Sequence, residues 1–231
     1  MNRTSSAEKR TLITELNRST RADNEQRAGR KYIAVSGNMG SGKSSLVDWV
    51  CSRYSIEPFF EPNDENPYLA DFYRDMRRFS LPSQIYFLSA KFRIHLQLDS
   101  QSRSVIQDRT IWEDAEIFAE NLFRSRKMAR RDYDTYRLLY ETIRSQLKPP
   151  DLMIYLRCSA STVMKRIAIR NRKMEKNISP HYVRRLHKLY ESWIENYQLS
   201  PLVIIPSDKL DYITDLVDRH DVLTTIEKYL R

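Results

Sequence analysis

Gly37-Asn38-Met39-Gly40-Ser41-Gly42-Lys43-Ser44 is the stretch on which the reading of this chain turns. Its spacing, G-x-x-x-x-G-K-[ST], is that of a loop whose backbone N–H groups cradle phosphates. The flanks agree. Lys31-Tyr32-Ile33-Ala34-Val35-Ser36 is a short apolar, β-branched run, as a buried parallel strand should be. Ser45-Leu46-Val47-Asp48-Trp49-Val50 continues with apolar residues at helical spacing. Strand, glycine-rich turn and helix, in that order, aim N–H groups and a positive helix terminus at one anion. The chain has only four glycines, and three of them are Gly37, Gly40 and Gly42. Glycine serves where φ is positive or backbone must approach a ligand closely, so this concentration marks a phosphate site. A nucleotide-binding stretch from Gly37 through Ser45 is expected, with Lys43 reaching the β- and γ-phosphates of a nucleoside triphosphate and Ser44 holding Mg²⁺.

The 231 residues can bury a full core, and one α/β domain is the default. No stretch approaches the length of a membrane span. Two cysteines, Cys51 and Cys158, lie far apart without metal-ligand spacing, which suits a reducing cytosol. The formal net charge is +9. Nucleic acid would be drawn to it, but so would an acidic small substrate. Much of the excess lies on helices or at their ends, with no aromatic-interleaved strand to stack bases. A solvated face and a phosphate-facing lid account for it, without a nucleic-acid partner.

Residues 1–29 are polar, rich in Arg and Ser, and too acidic for a transit peptide, so they read as a poorly ordered extension before a domain of residues 30–231. Five short apolar runs follow as strands, beginning at Lys31, Ser55, Ser104, Leu152 and Leu202. Between them helices are expected over 68–79, from Pro82 through Gln101, over 111–126 and 132–147, after a cap at Ser161, and from Ser179-Pro180. Asp211 caps a last one. This alternation makes a five-stranded parallel sheet with helices on both faces.

Ligands of such sheets gather at the carboxyl ends of the strands. Glu61 follows the second strand and Asp108-Arg109 the third. An acceptor hydroxyl needs a base, and Mg²⁺ needs an oxygen ligand; Glu61 suits the first task and Asp108 the second. Arg109 would steady the acceptor oxygen or the moving phosphoryl group. Arg166 and Arg170 share a helix face, and with Arg172 they form an arginine-rich lid able to put cations around the γ-phosphate and exclude water.

These motifs, with Glu61-Pro62, Gln84 beside Tyr86-Phe87-Leu88, and Asp108-Arg109-Thr110-Ile111-Trp112-Glu113-Asp114 running into Ile117-Phe118-Ala119, resemble the deoxynucleoside kinases. The bacterial deoxyadenosine/deoxyguanosine kinase branch is the nearest in pattern. The resemblance implies a P-loop kinase fold, ATP and Mg²⁺ as cofactors, and a homodimer, formed by the apolar faces of the 82–101 and 111–126 helices. By the same resemblance Glu61 is the base at the 5′-hydroxyl and Arg109 its partner. Tyr73 and Glu175 bind the sugar 3′-hydroxyl, Gln84 and Asp114 read the nucleobase, and Phe118 stacks on it. Arg166, Arg170 and Arg172 cover the donor phosphates. Lys91 stands where many relatives carry an arginine near the base, and Asn171 where the lid usually has glycine.

The expected activity is therefore ATP-dependent phosphorylation of the 5′-hydroxyl of a deoxyribonucleoside, a purine one first, in cytoplasmic nucleotide salvage. A thymidylate-like monophosphate kinase shares the loop and the Asp-Arg pair, but Glu61 would repel its phosphorylated acceptor. A nucleotide-gated nucleic-acid-binding protein has only the net charge in its favour.

Overall fold

Alternate residues of the first strand, β1 (Tyr32–Ser36), feed two different cores, because successive side chains on a strand point to opposite faces. Ile33 and Val35 pack with Leu46, Val47 and Val50 of the following helix α1 (Lys43–Arg53). Tyr32 and Ala34 pack on the other side with Leu98, Val105 and Met153. β1 is therefore covered on both faces, as its unbroken apolar sequence predicts. The computed structural model describes residues 29–62, 65–172, 175, 178–209, 222, 224 and 226–229. The extension predicted before residue 30 lies outside the described residues except for Gly29, as does most of the helix predicted from Asp211.

The remaining strands are β2 (Glu57–Phe59), β3 (Val105–Asp108), β4 (Leu152–Arg157) and β5 (Leu202–Pro206). All pair in parallel, in the order β2-β3-β1-β4-β5. β1 is central, and its two neighbours are β3 on one side and β4 on the other. That reversal opens a crevice at the carboxyl ends. Val35 stands opposite Asp108, and the Arg109 N–H donates to the Val35 carbonyl at 3.0 Å. The register thus sets the phosphate loop beside Asp108 and Arg109.

Helices α2 (Leu69–Arg74) and α3 (Met76–Ser100) meet at Asp75. Pro82, expected to open a helix, lies instead within α3. The Asp75 carboxylate starts the helix earlier by accepting from the N–H groups of Arg77 and Arg78, at 3.1 and 3.2 Å. Proline then costs one bond, to the Arg78 carbonyl, and the cap with the long apolar face beyond it outweighs that.

The predicted 111–126 helix is also not uniform. Ile111–Glu113, a π-helical turn Asp114–Ala119 and Glu120–Arg124 run on as one rod, here α4. One extra residue per turn rotates the following face by about 100° from that of a continuous α-helix. Ile111, Trp112, Ala115, Ile117, Ala119 and Leu122 are all buried within the chain. Exposed apolar side chains include Leu96 on α3 and Leu138 and Leu139 on α5 (Arg130–Arg144).

Beyond β4 comes α6 (Ala160–Arg170), capped by Ser159, whose hydroxyl accepts from Thr162 N–H, and not by Ser161 as predicted. Ser159 is the residue with extended backbone, which the cap position requires. α7 (Pro180–Glu195) begins as predicted, with the Ser179 hydroxyl accepting from Tyr182 N–H and Pro180 at its first position. No described helix is long and apolar enough to cross a membrane.

Candidate active site

The loop from Gly37 to Gly42 turns the chain from β1 into α1. Gly37 has φ 147°, and a Cβ there would lie 2.6 Å from Ser41 Oγ and 2.9 Å from the Leu156 carbonyl oxygen. Backbone cannot yield as a flexible side chain does, so Gly37→Ala is expected to lower the unfolding free energy by about 1–3 kcal/mol. An unchanged midpoint in urea denaturation would contradict this close approach. α1 starts without a side-chain cap, which leaves its first N–H groups to an anion.

Lys43 folds back over this loop, its ammonium donating to the carbonyls of Gly37 and Asn38 at 3.0 and 3.1 Å. It also lies 4.0 Å from Asp108 Oδ1. Burial, and then the nearby Arg109 guanidinium, lower its pKa to about 8. Ser44 Oγ donates to Asp108 Oδ2 at 2.5 Å, while the buried Asp108 Oδ1 has no hydrogen-bond partner. A hydroxyl and a carboxylate oxygen so placed fit a hard cation such as Mg²⁺. Ser45, the last residue of the predicted nucleotide-binding stretch, is exposed and does not line the cavity beside the loop.

That cavity has a volume of about 390 Å³. Among the predicted residues it is lined by Met39, Gly40, Lys43, Ser44, Glu61, Tyr73, Gln84, Asp108, Arg109, Asp114, Phe118, Arg170, Arg172 and Glu175. The Glu61 carboxylate sits where the loop and the cavity meet. Arg109 Nη1 donates to both of its oxygens, at 3.0 and 2.9 Å, while Nη2 reaches the Gly37 carbonyl at 3.5 Å. The Arg109 guanidinium also lies over the Phe118 ring, 4.7 Å from its centroid. Further in, Gln84 Oε1 and Asp114 Oδ2 are buried without hydrogen-bond partners. An orphaned acceptor in a cavity wall is costly unless a ligand satisfies it. Burial, the largest influence, raises Asp114 to about 6 against the pull of Lys91. Tyr73 is raised too, again chiefly by burial.

The lid residues part company. Arg170 grips Glu175 with Nη2 at 2.5 and 2.7 Å and Nε at 3.2 Å. Arg172 is exposed and lines the cavity. Arg166 does not: its guanidinium donates to the carbonyls of Ser41 and Ser207 at 3.1 and 2.7 Å, fastening α6 to the loop and to the end of β5. Asn171 ends α6 at φ 50°, the left-handed conformation that asparagine tolerates better than most residues.

Several contributors escaped the sequence reading. Phe72, Phe87, Leu69 and Tyr182 form apolar walls, and nothing local distinguishes them from core residues. Glu113, fully buried, accepts from Thr110 N–H at 2.9 Å, Tyr190 Oη at 3.0 Å and Gly37 N–H at 3.4 Å, so it ties α4 and α7 to the phosphate loop. Lys91 is also fully buried, and its ammonium donates to Asp114 Oδ1 at 2.6 Å and Glu61 Oε1 at 3.1 Å. Burial works against that charge, but Asp114 and Glu61 together outweigh it and the Lys91 pKa is raised.

Comparison with known proteins places this geometry in context. The family model described as deoxynucleoside kinase matches residues 33–231. Deoxyadenosine kinase of Lactobacillus acidophilus is 35% identical over 210 residues, 87% of this chain and 97% of that protein. Deoxyadenosine/deoxycytidine kinase of Bacillus subtilis is 34% identical over 185 residues, 79% of this chain and 85% of its own. Among solved structures, deoxyadenosine kinase from M. mycoides with bound dATP superposes with a TM-score of 0.77 at 29% identity, covering 86% of this chain and 100% of that one. Sheet order, phosphate loop and sequence agree, and the chain belongs to the deoxynucleoside kinase family.

Proposed function

We propose that the protein transfers the γ-phosphoryl group of ATP to the 5′-hydroxyl of a purine deoxyribonucleoside, deoxyadenosine foremost. The observation that carries this is the Glu61 carboxylate, held by Arg109 at 2.9 Å where the phosphate loop meets an apolar-walled cavity. A carboxylate there can take a proton from a hydroxyl but would repel an acceptor already phosphorylated. Lys43, Arg170 and Arg172 are assigned to the donor phosphates, and Tyr73 with Glu175 to the sugar 3′-hydroxyl. Ser44 and Asp108 would hold Mg²⁺, which supplies charge neutralisation at the phosphates when bound. Arg166 serves as an anchor of the loop. Phe118 is the stacking surface for the base. The work is positioning and electrostatics, since phosphoryl transfer leaves little covalent chemistry to the protein.

The preference among bases rests on Asp114 Oδ2 and Gln84 Oε1. Both are acceptors in want of a donor, and adenine and cytosine offer an exocyclic amine where thymine has a carbonyl. Relatives named for deoxyadenosine, deoxyguanosine and deoxycytidine support the class, and neither the monophosphate-kinase nor the nucleic-acid-binding alternative is favoured by them. Sparse free cysteines suit a cytosolic site of action. A homodimer through the α3 and α5 surfaces bearing Leu96 and Leu138 suits the exposed apolar residues there.

The test is ATP/Mg²⁺-dependent phosphorylation of the four deoxynucleosides, with dTMP and dGMP alongside. Deoxyadenosine is expected to exceed thymidine in kcat/KM by about 10–100-fold, the worth of one buried acceptor left unsatisfied. Turnover of the monophosphates alone would overturn the proposal. The ratio also has a pH dependence. Asp114 is raised to about 6, so it binds a proton below that value and loses its acceptor. Deoxyadenosine is therefore expected to lose its advantage between about pH 7.5 and pH 5, and a constant ratio would remove Asp114 from base reading. Using a ratio cancels titrations that both substrates share.

A further inference from the structure

Lys91 carries a charge in the one place where the two halves of the substrate's recognition meet. Its side chain is fully buried on α3, and it is not among the residues lining the cavity. Yet it touches two carboxylates that do line it: Asp114 Oδ1 at 2.6 Å and Glu61 Oε1 at 3.1 Å. In the reading proposed above, Asp114 serves the base and Glu61 the reacting hydroxyl. One fully buried ammonium is shared between them.

We propose that Lys91 is a positioning residue that couples recognition of the base at Asp114 to the placing of Glu61 for phosphoryl transfer. The inference rests on the proposed roles of those two carboxylates. Without substrate the ammonium lies nearer Asp114 than Glu61. When an exocyclic amine donates to Asp114 Oδ2, it draws on the same negative charge and loosens that carboxylate's hold on Lys91. The ammonium then moves toward Glu61 and adds to the grip that Arg109 already exerts on it. A base without the amine leaves the ammonium with Asp114 and Glu61 less firmly held. Selectivity among bases is thereby expressed in the chemical step as well as in binding, because only geometry attained at the transition state raises the rate of that step. A lysine suits this task, being a compact point charge with freely rotating donors, where a planar arginine would fix both partners at once.

The experiment compares deoxyadenosine with purine 2′-deoxyriboside, which lacks only the amine. KM and the single-turnover rate at saturating substrate are measured separately, since product release can mask chemistry in kcat. In the wild-type enzyme the amine is expected to lower KM and to raise the single-turnover rate about tenfold, within the range of energetic couplings between sites. In Lys91→Met the rate ratio is expected to fall to near one, while Lys91→Arg, which would hold both carboxylates at once, is expected to speed both substrates without restoring the ratio. A lysine that merely held the fold together would slow both substrates alike and leave their ratio intact, and that result would overturn the coupling. So would an amine effect confined to KM in the wild type. If neither KM nor rate depends on the amine, the base-reading role of Asp114 fails first and takes the coupling with it. The wild-type comparison needs no variant, so it can overturn the coupling even if Lys91→Met does not fold, and Lys91→Arg then carries the assignment to this residue.

Discussion

Glu61→Ala is expected to lower kcat by about 10²–10⁴, the usual worth of a positioned general base, with ATP binding nearly intact. The separation follows from the layout. The phosphate loop, Lys43 and Ser44 are held by contacts with Gly37, Asn38 and Asp108 that do not pass through Glu61. The Glu61 carboxylate answers to Arg109 and Lys91 instead. Removing it leaves two buried cations without that partner, so a loss of stability accompanies the loss of rate. Glu61→Gln keeps the shape and an acceptor oxygen but cannot take the proton. It should lose nearly as much in kcat as alanine while unfolding closer to wild type. Steady-state kinetics with thermal melts and ATP titration by calorimetry for both variants decide the matter. Turnover within a few-fold of wild type in Glu61→Gln would remove Glu61 from the role of base and leave it a structural partner of Arg109.

The contrast between what could and could not be read in advance has physical causes. The phosphate loop was legible because all its determinants are local: strand, turn and helix follow one another within residues 31–53. The strands and their parallel sense were legible from apolar runs separated by helical ones. Their order, β2-β3-β1-β4-β5, was not, since pairing depends on contacts far apart in sequence. Pro82 misled because proline is a strong local signal, whereas the Asp75 cap that overrides it depends on where the chain turns. The π-helical turn at Asp114–Ala119 contains neither glycine nor proline, and it arises where α4 is packed between neighbours. Arg166 and Arg170 lie four apart on α6 and look equivalent, yet one meets backbone carbonyls and the other the Glu175 carboxylate. Lys91 was legible only as a departure from an arginine near the base, because its carboxylate partners lie 30 and 23 residues away in sequence. Only the folded arrangement shows why it is buried.

Arg109→Met is expected to lower kcat by about 10²–10³, as removal of one preorganised transition-state donor does. Arg109→Lys should fail to restore it. The guanidinium makes two connections at once, Nη1 to both oxygens of Glu61 and Nη2 toward the Gly37 carbonyl, while its flat face covers Phe118. A single ammonium cannot span these. Backbone geometry points the same way. Arg109 sits at φ 63°, a conformation uncommon for a residue with a Cβ, and the chain holds it there with the Arg109 N–H donating to Val35 across the β1–β3 pair. That turn lifts the side chain out of the sheet toward the phosphate loop and Glu61. If Arg109 acts by fixing Glu61 and by stabilising the same moving charge, the two act as a unit and their losses should not add. The double variant Arg109→Met with Glu61→Gln is then expected to be little slower than the worse single variant. Kinetics on all four corners of this cycle measure the coupling. Fully additive losses would mean that the two residues serve separate steps, with Arg109 acting on the donor phosphates alone.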